Sequence, residues 1–452
     1  MLHVLRWVGC GLVLCWLVGG RAAHAEQREN LSDFEAAGLG EQFTAVRQIQ
    51  VGREQVQGRP PAKGPSGFAA RISTAGNAGL FAKSGGIAQN LLNVSAVELW
   101  IYRSPEAAKR GADTIEFRFV EADGRGVFLS KVELTHEGWK QLSLPLRWFR
   151  WGEGRVPRWN KIDRWGVWFR DAAEVQIDDV AILRQDDPDI ALLQAADYRQ
   201  IAFPDIKRDD DRELERDHIL LATSAKELDL KQLFAHLQQV KAQLERDLSV
   251  PDDFPEPAVL LVFDRKESYA DFTPRLAKQL QAVAPAPRSD GFTIQGIATS
   301  YYDEKFGTLR PVYTHEFVHA VLSRGWRLPN HGEWLQEGLA VTYQLRFHPQ
   351  ADYGKIVADG IAKPENHSPL EELTSGEKVP MNRYWQAATF AEMLATDKKY
   401  APKFKALIEA FAKSGSTKLG PQREAVLGAS WETLTSDWKT FCSERYAPAE
   451  AK

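Results

Sequence analysis

The chain is nearly empty of cysteine, with three in 452 residues, and two of these, Cys10 and Cys15, fall inside the first 25 positions. If that segment is removed, Cys442 stands alone and no intramolecular disulfide can form. This excludes a cysteine-stapled scaffold, which a chain of this length does not need. No apolar run reaches the roughly 18 residues that cross a bilayer comfortably. The nearest, Trp7 to Gly20, follows Arg6 and precedes Ala23-His24-Ala25, a small-x-small cleavage pattern. Residues 1–25 are therefore predicted to be a secretory leader, with a short uncleaved anchor as the alternative. Export to the periplasm or the exterior follows, with no transmembrane segment after cleavage. Positive charge is not in excess either: 57 basic and 61 acidic residues give −4. Loss of Arg6 and Arg21 with the leader turns 57 basic residues into 55 against 61, a net charge of about −6. A mildly acidic surface argues against nucleic acid or an anionic membrane as the main partner. There is no internal repeat and no long low-complexity tract.

What is present is a metal-binding pattern. His315-Glu316-Phe317-Val318-His319 lies in an apolar helical stretch and is followed by Trp334-Leu335-Gln336-Glu337-Gly338-Leu339-Ala340. Histidines four apart share one helix face, so both imidazoles can reach one ion. Glu316 points to the same side, close enough to take the proton of an attacking water. Glu337 completes a two-histidine, one-carboxylate set with an open fourth position, as a catalytic zinc site requires. The plainer alternative is a helix with two ordinary surface histidines. Pro311 suits the first turn of this helix, and Gly325 is predicted as its left-handed stop. Val312, Val318, Val321 and Leu322 recur at helix spacing. A second helix is predicted from Glu333 to about Leu345. Pro329 and Asn330 break the chain between the two, so that Glu337 can turn back on the histidine pair.

HEFVH followed by WLQEGLA resembles the gluzincin branch of the zinc metallopeptidases, in particular the bacterial peptidase-MA-like group. The resemblance runs from His218 to near Tyr446. It implies zinc held by His315, His319 and Glu337, with Glu316 as general base. Thermolysin-like members carry an acidic residue four positions after the third ligand, as support for a histidine. Here that position is Val341, so the support must come from elsewhere. Such sites also use a donor to the oxyanion. Tyr384 in Asn382-Arg383-Tyr384-Trp385-Gln386 is the candidate, with His331, Tyr343 and Tyr302 as rivals and a core role for Tyr384 as the alternative.

The amino-terminal half reads differently. From about Asn30 to Arg184 short β-rich runs are broken by glycine, among them 97–102, 114–119, 166–169 and 175–182. Several strands at this spacing suggest an antiparallel sandwich. Asp33-Phe34-Glu35, Gly138-Trp139 with Leu142-Ser143-Leu144-Pro145-Leu146, and Ile177-Asp178-Asp179-Val180 resemble the galactose-binding-like jelly rolls of carbohydrate-binding modules. Relatives of that kind hold a structural calcium with acids at the two ends of the fold. Asp33, Glu35 and Asp178 are the matching positions here, with ordinary strand-end acids as the alternative. Trp148, Trp151 and Trp159 lie in a loop-like stretch with Arg150, Arg155 and Arg158. They fit core or interface packing, or a platform for a glycan or peptide.

The expected architecture is multidomain. A jelly-roll sandwich spans 30–186, a charged and solvated connector 187–215, and an α+β gluzincin-type domain with a mainly helical carboxy-terminal part 216–447. Buried strands near 218–223 and 257–263, helices near 229–248 and 269–283, and an alternating edge strand at 292–298 lead to the zinc helix. Later helices are predicted at 383–395, 402–413 and 430–446. In the resembling folds the edge strand pairs with an extended peptide. Three functions fit: an exported zinc peptidase acting on peptide or protein substrates, a glycan- or cell-wall-binding protein with a secondary or inactive peptidase-like domain, and an assembly protein with structural zinc.

Overall fold

The computed structural model describes residues 26–35, 38–58, 67–87, 90–152, 154–205, 212–248 and 256–446. The leader predicted at 1–25 lies outside them. The first half is an antiparallel β-sandwich. One sheet runs β3 (Ile49–Gln55), β4 (Phe68–Thr74), β12 (Ala173–Arg184), β6 (Val94–Arg103) and β9 (Gly138–Pro145), with β1 (Gln27–Ser32) also paired to β12. The other runs β10 (Arg150–Trp151), β8 (Val127–Leu134), β7 (Asp113–Glu121), β11 (Ile162–Phe169), β5 (Ala78–Ala82) and β2 (Phe43–Val46). Two short helices, α1 (Leu39–Gln42) and α2 (Pro105–Lys109), decorate the connections. The period of two along β7 sends Ile115, Phe117 and Phe119 into the core, while Glu116 and Arg118 take the other face. Aromatic pairs fill the centre: Phe117 stacks on Trp165 at 5.6 Å and Phe128 on Trp159 at 3.7 Å between ring centroids.

The three loop tryptophans are not an open platform. Trp159 is buried in the sandwich core, Trp151 is half-buried against that core, and Trp148 packs against the first cluster of the following unit. Packing is thus the use the chain makes of them.

The second half starts with α3 (Ala195–Ala202) and a five-stranded sheet ordered β13 (Glu213–Arg216), β14 (Ile219–Thr223), β15 (Ala258–Phe263), β17 (Ile297–Tyr301) and β16 (Gly291–Ile294). The three inner strands are parallel and the two outer ones antiparallel to their neighbours. On one face lie α4 (Leu230–Leu248) and α6 (Pro311–Arg324), on the other α3 and α5 (Lys266–Gln279). Then come α7 (Trp334–Phe347), α8 (Tyr353–Ala362), α9 (Leu370–Leu373), α10 (Tyr384–Thr396), α11 (Ala401–Ser414), α12 (Gly420–Gln422) and α13 (Trp431–Arg445). Among the described residues no helix is long and apolar enough to cross a membrane.

Three expectations are corrected. The edge strand near 292–298 is a hairpin, because Gln295 (φ 53°) and Gly296 (φ 70°) both take left-handed backbone and reverse the chain between β16 and β17. Gly325 does not stop α6 with a left-handed turn. Its φ is −79°, and the left-handed residue is Arg327 at 60°. The Leu328 N–H then returns to the Leu322 carbonyl at 3.3 Å. The connector 187–215 is not a solvated tether. Leu192, Tyr198, Ala202 and Phe203 are buried and β13 extends the sheet, because apolar side chains between the charged runs find both units to pack on. The charged run at 208–211 lies outside the described residues.

The sandwich and the second unit share polar contacts. Glu121, 2% exposed, accepts from Arg327 at 2.7 Å and from the Arg158 N–H at 2.9 Å, and it also pairs with Arg155. Arg327 also donates to the Val156 carbonyl at 2.9 Å, and the Ser130 hydroxyl donates to Gln281 Oε1 at 2.6 Å.

A polar chain ties α4, α6 and the end of α7 together. Thr314 Oγ1 lies 2.8 Å from His236 Nε2 and 3.0 Å from His348 Nε2. Burial, helped by His348, pushes the His236 imidazole down to about 4. The folded state therefore prefers neutral His236, so its contribution is complete above the unfolded value near 6.5 and is lost as pH falls from there toward 4. Between pH 7 and pH 4, urea unfolding of the wild-type chain should lose on the order of 3 kcal/mol more than unfolding of His236→Gln. Equal losses in the two proteins would refute this account.

Candidate metal centre

The site is built on α6 and α7. His315 and His319 stand one turn apart on α6, and Glu337 occupies the first turn of α7. Their donor atoms converge: His315 Nε2 and His319 Nε2 are 3.2 Å apart, and Glu337 Oε2 lies 3.3 Å from the first and 3.7 Å from the second. Ligands about 2.0–2.1 Å from a tetrahedral zinc stand roughly 3.3 Å from one another, so the spacing fits. Among the described residues this is the one group of three or more potential metal-ligating side chains that gathers so closely. Glu337 Oε2 is buried and makes no hydrogen bond, an orphan that a cation would satisfy.

The electrostatics agree. Burial raises the Glu337 carboxyl, but His319 and His315 outweigh it and hold the group far below the carboxylate range. Burial likewise opposes protonation of His319, but Glu337 outweighs it and lifts the imidazole to about 9. A buried carboxylate so placed demands positive charge, which a divalent ion supplies as well as a proton does.

The support absent at Val341 comes from Gln336. This side chain is fully buried, and its amide nitrogen faces the carbonyls of Pro329 at 3.2 Å and Leu328 at 3.4 Å. Its Oε1 must then face His319 Nδ1, which it meets at 3.0 Å. That arrangement puts the proton on Nδ1 and turns the Nε2 lone pair into the site. Sequence reasoning missed Gln336, although its place directly before Glu337 was a usable signal.

Glu316, 6% exposed, is also held: Thr293 of β16 donates its hydroxyl to Glu316 Oε2 at 2.7 Å. Gly291 comes so near that a Cβ there would lie 2.6 Å from the Glu316 side chain. Tyr384, at the start of α10, is half-buried beside the Glu337 carboxylate; burial and then that carboxylate push its phenol upward, so it stays a donor. It is placed there by backbone contact, since a Cβ on Gly338 of α7 would meet the Ala387 carbonyl of α10 at 2.5 Å.

The rivals sit elsewhere or do other work. Tyr343 is buried and donates to Asp247 at 2.7 Å, His331 is exposed, and Tyr302 packs against the core. The calcium candidates do not gather into a three-carboxylate group among the described residues. Glu35 accepts from the backbone of Gly67 and Phe68, the Glu35 N–H donates to Asp33 at 3.1 Å, and Asp178 is fully buried within β12.

No family model and no curated protein matches the chain. Solved structures that resemble part of it include carbohydrate-binding-module sandwiches. One is the family 11 module of the cellulase Lic26A-Cel5E of Clostridium thermocellum, at 14% identity and TM-score 0.27, covering 35% of this chain and 96% of that one. Another is the CBM22-1 xylan-binding domain of Paenibacillus barcinonensis Xyn10C, at 13% identity and TM-score 0.25, covering 36% and 98%.

Replacing Gln336 with alanine should leave the fold intact and weaken zinc binding about 10- to 100-fold in a chelator competition, because His319 loses its orienting partner. Unchanged affinity would show that Gln336 has no such role.

Proposed function

We propose that the chain is an exported zinc-dependent peptidase. The observation that carries this reading is the convergence of two imidazoles and a buried carboxylate, whose Oε2 lacks a hydrogen bond, beside a second carboxylate, Glu316, that no ligand set needs. Zinc in such a site supplies Lewis acidity toward the attacked carbonyl and the attacking water. Glu316 takes the proton of the water as its oxygen bonds to the carbonyl carbon. It then returns that proton to the amine nitrogen as the C–N bond breaks. Thr293 keeps Glu316 aimed, and the Tyr384 hydroxyl donates to the oxyanion. β16 is the terminal strand of its sheet, and an extended substrate backbone pairs along its free edge. The predicted leader places this activity outside the cytoplasm.

His315→Ala and His319→Ala should each abolish stoichiometric zinc at neutral pH. Glu316→Gln should keep the metal and lose on the order of a hundred- to ten-thousand-fold in turnover of a peptide library. Wild-type turnover in Glu316→Gln would move the catalytic centre elsewhere. Full metal with no cleavage by the wild-type protein would favour a structural zinc.

One observation favours a glycan-binding role for the sandwich alongside this. A cleft of about 550 Å³ is lined by Asn77, Arg118, Arg150, Trp168 and Arg170. Arg118 and Arg170 both pair with the fully buried Glu116, and the charge of Glu116 also acts on Arg150. Two guanidinium groups thus pair with one carboxylate, and Arg118 lies over the Trp168 ring, 4.6 Å from its centroid. A sugar chain bearing carboxylates suits this lining, because its acid groups can pair with the guanidinium groups of the cleft. The full chain should retain a polyuronate over a neutral glucan in affinity electrophoresis, and Arg150→Ala should lose that preference. Equal retardation by both polymers would count against the cleft.

A further inference from the structure

We infer that Trp151 of the sandwich is a positioning residue for the strand beside the metal centre, an inference that rests on the peptidase reading. The β16–β17 hairpin is laced to α6 at two levels. At the inner level the Thr293 hydroxyl donates to Glu316 Oε2 at 2.7 Å and lies 3.2 Å from the Glu316 carbonyl. At the outer level Arg324, two turns further along the same helix, donates from Nε to the Gly296 carbonyl at 3.0 Å. Its terminal nitrogen reaches the Gln295 carbonyl at 3.2 Å. The sandwich closes this outer lace. The Trp151 backbone N–H donates to Gln295 Oε1 at 2.6 Å, and separately the indole lies so near the turn that a Cβ on Gly296 would come within 2.9 Å of it. The Arg324 guanidinium is 5.7 Å from the same ring.

Gln295 needs this help. Its φ of 53° is one that a side-chain-bearing residue adopts only when its surroundings hold it there. One contact fixes its side chain from the sandwich and another fixes its carbonyl from α6. The height of the edge strand over the metal helix is therefore set by both halves of the chain. This makes the sandwich part of the substrate-binding machinery and not only a tethered module. Removing the indole loosens the outer end of the hairpin, while the Thr293–Glu316 bond at the inner level and the ligands on α6 and α7 keep their places.

The test uses the full chain. Trp151→Ala should hold zinc stoichiometrically and show faster amide exchange across 291–301. It should also raise KM for extended peptides about ten-fold with little change in kcat, since the loss lies in binding along the strand. Trp151→Phe should restore most of both, which simple destabilisation by a cavity would not single out at the hairpin. If Trp151→Ala does not fold, Trp151→Leu, which keeps the backbone bond to Gln295 but removes the ring, is read in the same way. Wild-type exchange rates across the hairpin in the folded variant overturn the inference. If the wild-type protein cleaves no peptide, the peptidase reading fails while the exchange measurement still decides whether Trp151 holds the hairpin.

Discussion

A buried guanidinium has five N–H groups to satisfy, and at Arg324 that demand organises the molecule. Its partners are Glu256 at 2.6 Å, the Tyr198 hydroxyl at 2.9 Å, and the carbonyls of Gly296 and Gln295. They come from the approach to β15, from α3 and from the hairpin, so the cation is satisfied only when all three are docked. Leaving such a charge partly unpaired in the interior costs several kcal/mol, by an order-of-magnitude rule for broken buried pairs. The connector between the halves is drawn into place by this requirement: Tyr198, its hydroxyl pushed up to about 12 by burial, stays protonated beside the cation. Arg327, three residues on, repeats the logic with Glu121 across the junction. Both cations sit at the carboxy-terminal end of α6, where the helix dipole also favours positive charge.

The consequence for the metal centre is orientation. A site of this kind tolerates displacements of only about 0.5 Å, and α6 is anchored near both ends. Thr314, beside His315, is bonded into the His236–His348 chain, and Arg324 anchors the other end. Between them the helix is buried on nearly all sides, which explains why its sequence shows only a weak apolar stripe. The polar residues that dilute the stripe, Thr314, Glu316, His319, Ser323 and Arg324, are all buried. Buried polar groups that each find a partner specify a single arrangement, whereas an all-apolar helix surface would allow rotation and sliding.

The chemistry-bearing residues were legible because their relations are local. Two histidines four apart lie on one helix face whatever the tertiary fold, and a break at Pro329-Asn330 followed by a helix brings Glu337 back. The strands of the sandwich were legible from their period of two. What escaped was set by contacts distant in sequence. Gln336 acquires its role only from the backbone carbonyls of Leu328 and Pro329, which fix its amide. Composition marked 187–215 as charged, but burial there depends on surfaces that composition does not describe. The hairpin at 295–296 was hidden because Gln295 is an unusual residue for left-handed backbone, and it is held by a tryptophan some 144 positions earlier. Gly325 was a reasonable stop by type, but the packing of Trp326 carries the right-handed turn past it and leaves Arg327 to reverse the chain.

The same reasoning separates Tyr384 from its rivals. A donor to a developing oxyanion is effective when it is already in place, so that no reorganisation accompanies the reaction. Tyr343 lies on α7 with Glu337, but its hydroxyl is committed to Asp247. Tyr384 lies at the first turn of α10, and the approach of α10 to α7 at Gly338 leaves no room for a side chain between the helices. Its position relative to Glu337 is thus set by two backbones in contact, which adjust less readily than interposed side chains would. A larger residue at Gly338 would push α10 outward and carry the phenol away from the metal centre without touching any ligand. The glycine in WLQEGLA therefore has a physical reason of its own: it fixes the distance between Glu337 and Tyr384.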